Sequence, residues 1–171
     1  GLIMAILISP MIVPLIITAA GMFFFYARIN LVYTFTGVIL AHVALATPFV
    51  VITVTATLVG FDMNMVKAAQ SLGAKPMRTF FKVIMPLILP GIISGALFAF
   101  ITSFDEVVIV MFMASIDQLT IPKQMWAGIR QEISPVILCM ATCLVILSIV
   151  LLTTVELLRR RAERLRGIKA R

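Results

Sequence analysis

Charge is scarce in this 171-residue chain: Asp, Glu, Lys and Arg make up 12% of it, against 62% hydrophobic residues and a mean hydropathy of +1.17. Soluble domains hold about 45–50% apolar residues, and a soluble fold of this size needs far more charge to cover its surface. A water-soluble globule is excluded. Cysteine is reduced to Cys139 and Cys143. Four apart in an apolar run, they share a helix face, are poorly placed to bridge and have no His or further Cys with which to hold a metal, so they are expected as small core residues. The single histidine, His42, lacks an evident chain of titratable partners for a proton relay and is expected to hydrogen-bond across helices. No Gly-rich GxxxxGK[ST] phosphate loop and no zinc-ligand spacing occur. No catalytic residue, metal site or cofactor is therefore expected in this chain, nor any internal repeat or low-complexity segment.

What remains is apolar length and clustered basic charge. Spanning ~30 Å of hydrocarbon takes ~20 residues, and four segments are long enough: 2–27, broken by Pro10 and Pro14; 31–59, with His42 and Pro48; 87–113; and 136–158. Proline inside such helices is tolerated when neighbours satisfy the freed carbonyls, and points to a kinked bundle. The methionines Met4, Met11, Met22, Met111 and Met113 read as packing. The net charge of +7 would suggest nucleic acid in a soluble protein, but seven of the 14 basic residues lie in the tail 159–171, directly after an apolar span. That is a cytoplasmic flank facing anionic headgroups, not a nucleic-acid surface. Lys67, Lys75, Arg78 and Lys82 lie between the second and third spans, while the opposite side holds Arg28, Lys123 and Arg130. Eleven against three puts the central segment and the C-terminus in the cytoplasm. The chain starts at Gly1 inside an apolar run and is expected to be the C-terminal part of a longer protein.

The inside segment, about 62–86, carries local detail. Asp62 is placed to cap a helix over about 63–72, and Gly73 fits its left-handed stop. Pro76 suits the first turn of a second short helix reaching about Lys82. Ala68, Ala69 and Leu72 make a small apolar patch on the first helix, and Phe80 and Phe81 supply bulk on the second. The expectation is a helix–turn–helix elbow across the cytoplasmic face. The loop 115–134 is too polar to span, and Trp126 in it suits the membrane–water boundary.

At this elbow the sequence resembles the inner-membrane permease subunits of binding-protein-dependent ABC importers. Their signature is Glu-Ala-Ala, three residues, Gly, nine residues, then Ile-x-Leu-Pro. Ala68, Ala69 and Gly73 fall in register and Val83-Ile84-Met85-Pro86 closes the pattern, with Lys67 in place of Glu reversing a charge. The stretches SPMIVP (9–14), LAH (40–42), TPFV (47–50), FAFITSFDEVV (98–108) and TIPKQMWAGIRQEISP (120–135) are similar to the second permease component of the spermidine/putrescine branch, though Leu15 stands where Gly commonly follows. The resemblance implies an all-α polytopic bundle lacking the first two of six spans. It also implies a second permease subunit, two cytoplasmic ATPase subunits that bind ATP and Mg, and an extracytoplasmic substrate-binding protein. The elbow residues it marks for ATPase coupling are Lys67, Ala68, Ala69, Leu72, Gly73, Ala74, Phe80 and Pro86.

Asp105 and Glu106 are the sharpest candidates for substrate contact. Asp105 stands 14 residues past Gly91, about 21 Å along a helix, in the outer half of the third span, where an ionisable group normally faces a cavity or a partner. Carboxylates suit a flexible polycation; Ser103, Thr102, Thr53, Thr55 and Thr57 could line the same path or bond back to the preceding turn. The alternative for the acidic pair is a structural pair with Arg28, Lys123, Arg130 or the partner permease. Rival functions are an importer of another small solute (an anion, iron or an amino-acid derivative), a proton-coupled secondary transporter, and a bundle that transports nothing. The elbow separates the importer from the secondary transporter, which has no ATPase to dock.

Overall fold

The computed structural model describes residues 1–131 and 134–165, and within them every regular element is a helix. Proline sets the first break. Pro14 has no N–H for a helix and pushes the preceding residue out of the α region; Val13 is extended at φ −78°, ψ 137°. Helix α1 (Leu2–Ile12) stops there and α2 (Leu15–Arg28) leaves it at a bend of 111°. The first expected span, 2–27, is broken at Pro14 as expected: its two helices of 11 and 14 residues are about 16 and 21 Å long, each short of ~30 Å of hydrocarbon alone, so only the bent pair together can count as a span.

Helix α3 (Phe35–Val59) is started by Thr34, whose Oγ1 accepts the Gly37 N–H at 3.0 Å and donates to the Leu31 carbonyl at 2.7 Å. Its buried residues Gly37, Ala41, Leu45 and Pro48 recur at helical spacing and define its packing face. After α4 (Asn64–Ser71) the chain does not form a separate second elbow helix. Instead α5 (Pro76–Thr79), a π-helical turn (Phe80–Ile84) and α6 (Met85–Phe104) run on as one 29-residue helix. The reason lies at Pro86. A proline in a helix removes one bond and crowds the carbonyl four residues back. The widened turn, in which the Met85 N–H reaches the Phe80 carbonyl, accommodates the ring without ending the helix.

The third span, expected to reach residue 113, ends at Phe104; α7 (Val108–Met113) is a separate short helix, followed by α8 (Ile121–Gln131) and α9 (Pro135–Leu165). Among the described residues three helices are long and apolar enough to cross a membrane, Phe35–Val59, Pro76–Phe104 and Pro135–Leu157, and the bent α1–α2 pair is a fourth candidate. The chain is a multi-pass helical membrane protein. Of the basic tail, 159–165 continues α9, and 166–171 lies outside the described residues.

Two packing centres hold the bundle. Ala19 of α2, Ala41 and Leu45 of α3, and Ile109 and Met113 of α7 are buried together, with Met22, Phe23 and Phe112 packed around them. Along the other half of α3 lies α6, with Phe49 stacked on Phe98 at 6.4 Å. There Gly91 and Gly95 meet the Thr57 and Thr53 side chains, and a Cβ on Gly95 would come within 3.0 Å of the Val50 Cα. Helix α9 buries no residue from Pro135 to Leu157. Cys139 and Cys143 are accordingly exposed on it and unbridged, which corrects their expected place in a core.

Candidate coupling elbow and transport path

The elbow is built by its two turns. Asp62 Oδ1 accepts the Asn64 N–H at 2.9 Å, so the expected cap operates as an Asx turn at the entry to α4. At the exit Gly73 takes φ +78°. Its N–H donates to the Gln70 carbonyl at 2.9 Å and the Ala74 N–H to the Ala69 carbonyl at 3.0 Å. These are the paired bonds of a Schellman stop, which a left-handed glycine makes without a Cβ clash. The expected coupling residues then divide by surroundings. Lys67, Ala68 and Leu72 are exposed, Leu72 at 88%, whereas Ala69 and Ala74 are half-buried against the bundle. Phe80 and Phe81 form an edge-on pair at 5.1 Å in the π-helical turn, both exposed. Pro86 lies half-buried in the first turn of α6, inside the span rather than on the elbow surface.

The candidate path residues gather where α6 ends. Asp105 is the first residue past that helix and is exposed. The twenty residues of α6 rise about 30 Å, so Asp105 stands at the far end of the crossing from the elbow. Among the described residues no ion pair reaches it, so the alternative pairing with Arg28, Lys123 or Arg130 is not formed. Glu106 turns the other way: it is 6% exposed, and its Oε1 accepts the Ile109 N–H at 2.7 Å in the first turn of α7. His42 meets Ser103 across the α3–α6 interface, Nδ1 to Oγ at 2.7 Å, the interhelical bond expected of it. Lys123 reaches the carbonyls of Val110 and Ala114 at 3.4 and 3.3 Å, closing the C-terminal end of α7. Thr53 and Thr57 bond back to carbonyls in the preceding turn, at 2.9 Å each to Phe49 and Thr53.

Sequence reading passed over the glycines of α6. Gly91 and Gly95 form a small-xxx-small pair that lets α3 approach closely, and their four-residue spacing in an apolar span was the available signal. A cavity of about 430 Å³ is lined by Asp105 and by mostly apolar residues of α8 and α9, Trp126 among them. The Arg130 guanidinium lies over this indole, 5.5 Å from its centroid.

The sequence profile of the binding-protein-dependent transport system inner membrane components matches residues 1–164. The chain is 30% identical over 161 residues to a Haemophilus influenzae protein named as a spermidine/putrescine transport system permease protein, PotC, covering 94% of this chain and 61% of the relative. Its Escherichia coli counterpart is 29% identical over 160 residues, with 94% and 59% covered. The putrescine transport system permease protein PotI of Escherichia coli is 37% identical over 103 residues, covering 60% of this chain and 37% of that protein. The chain thus spans about three fifths of the length of the PotC relatives. With its bundle, its elbow and a match that runs through both, the chain belongs to the family of binding-protein-dependent transport system inner membrane components.

Proposed function

We propose that this chain is the permease subunit of an ATP-driven importer of polyamines, of the spermidine/putrescine type. The observation that carries the reading is the elbow: a short, capped, exposed helix joined by a Schellman turn to a 29-residue helix long and apolar enough to cross the bilayer. A soluble motor that grips α4 acts through this turn on the whole third span, a rigid-body route for moving it. The motor is a pair of cytoplasmic ATPase subunits, which bind the ATP and Mg; this chain holds no cofactor. The pore is completed by a second permease subunit, and cargo is delivered by an extracytoplasmic binding protein. The elbow and the basic C-terminus face the cytoplasm.

Polyamine cargo rests on the names of the relatives and on the chemistry of Asp105. An exposed carboxylate without an ion-pair partner at the outer end of the span attracts an ammonium group. Glu106, His42 and Ser103 hold the α6–α7 break in place around it.

The test is uptake of radiolabelled spermidine by the intact complex with its binding protein in liposomes, with and without internal ATP. The wild type is expected to accumulate spermidine only with ATP. Gly73→Pro, which cannot take φ +78°, is expected to abolish uptake while the complex still assembles. Uptake driven by a proton gradient without ATP would overturn the importer reading; ATP-coupled uptake of a different solute would remove the polyamine alone.

A further inference from the structure

The surroundings of α4 specify the partner surface that receives it. At about 100° per residue, its side chains sort into four directions. Val66 and Ala69 are both half-buried, on the side of a helix that packs against α5 and the π-helical turn. On the opposite crest lie Asn64, Ala68 and Ser71, all exposed and small enough to admit a close neighbour. One flank carries Met65, 48% exposed, and Leu72, 88% exposed. The other flank carries Lys67, turned about 160° from Met65 and about 140° from Leu72 at the same helical pitch.

A flat headgroup layer can take the apolar flank or the lysine flank of such a helix, not both at once. An interfacial helix places its basic residues beside its apolar face, so that both reach the same lipid surface. A cleft that straddles the crest reaches both flanks. The charge on its two walls follows from what α4 offers. Lys67, Lys75, Arg78 and Lys82 are exposed, and among the described residues none of them is in an ion pair. The segment's acid, Asp62, is engaged in the Asx turn with the Asn64 N–H.

We infer that the ATPase subunit receives α4 in a cleft with two unlike walls, an apolar one against Met65 and Leu72 and an acidic one against Lys67. This rests on the importer reading above and adds to it the chemistry of the partner. An acidic wall makes docking selective, because a cleft lined with basic residues would repel Lys67, and repulsion between like charges at an interface is a strong discriminator.

The experiment measures binding of the complex's own ATPase subunit to the permease assembly in lipid nanodiscs, across a range of NaCl concentrations, with and without anionic lipid. Lys67 is exposed, so its replacement leaves the fold intact. Lys67→Gln is expected to weaken ATPase binding about 10-fold and Lys67→Glu about 100-fold at low salt, the two converging as salt rises. Leu72→Asn, which removes the apolar contact without adding charge, is expected to weaken binding with little salt dependence of its own. Wild-type affinity for Lys67→Glu at low salt, or tighter binding, would overturn the acidic wall while leaving the importer reading intact. A Lys67→Glu defect seen only with anionic lipid present would assign the lysine to headgroups and also overturn it. If the wild-type assembly binds no ATPase at any salt, the importer reading fails and the cleft fails with it.

Discussion

Asp105 and Glu106 are consecutive carboxylates with opposite surroundings. Asp105 is exposed just past α6, whereas Glu106 is 6% exposed and bonded to the Ile109 N–H at 2.7 Å. A buried bond from a charged acceptor to a backbone donor contributes about 1.5–3 kcal/mol, and losing the acceptor strands the donor. Glu106→Ala is therefore expected to lower the stability of the purified complex by about that amount, read as a fall in its thermal unfolding midpoint. Asp105→Asn is expected to leave the midpoint unchanged and to cut spermidine uptake at least about 10-fold, the cost of losing one charge contact. If Asp105→Asn lowers the midpoint and leaves uptake alone, the two roles are exchanged. Sequence alone put both on the path, Asp105 ahead of Glu106 because adjacent helical residues point about 100° apart. The burial of Glu106 was not legible, because it depends on α6 ending at Phe104, and no glycine or proline stands there to announce the break.

At the scale of elements, the α3–α6 seam joins the elbow end of the bundle to the His42–Ser103 bond at the other. A Cβ on Gly95 would press on the Thr53 side chain and come within 3.0 Å of the Val50 Cα. Gly95→Ala is expected to destabilise the bundle by about 1–3 kcal/mol, the usual cost of overpacking. Adding Thr53→Ala should recover part of the loss, since the Val50 backbone remains in the way. Gly21→Ala, where a Cβ meets nothing within 4 Å, is the control and should not destabilise. A Gly95→Ala variant as stable as the wild type would show that the helices are not held together by this approach. Some of this scale was legible. Asp62 and Gly73 bounded α4 to within a residue or two of its observed ends because capping is local chemistry. The fusion of α5 with α6 was not, since Pro76, Pro86 and Pro90 all read as punctuation. A π-helical turn that absorbs a proline leaves no compositional mark.

For the whole molecule, membrane insertion was legible from composition, and the apolar cores of the second to fourth spans from length. Neighbours of those spans were not: α9 is as apolar as α3 to the eye, yet it buries nothing from Pro135 to Leu157 while α3 buries four residues. In both, apolar length satisfies the bilayer, and only packing against specific partners tells them apart. Sidedness depends on fewer assumptions. If α6 and α9 each cross, the elbow and the tail are expected to share a side whether the bent α1–α2 pair crosses or re-enters. The loop between α7 and α8 lies beyond α6 alone and is then expected on the other side. This yields a test that needs neither cargo nor motor. Cys139 and Cys143 are exposed and unbridged, so they are first replaced by Ala. Single cysteines are then placed at Leu72 and Ile116, which are 88% and 87% exposed. A membrane-impermeant maleimide applied to right-side-out vesicles is expected to label Ile116→Cys and spare Leu72→Cys. Inverted vesicles washed free of peripheral subunits should give the reverse. Labelling of both from one side would mean that α6 does not cross the bilayer, and the elbow could then not convey cytoplasmic motion to Asp105 along that helix.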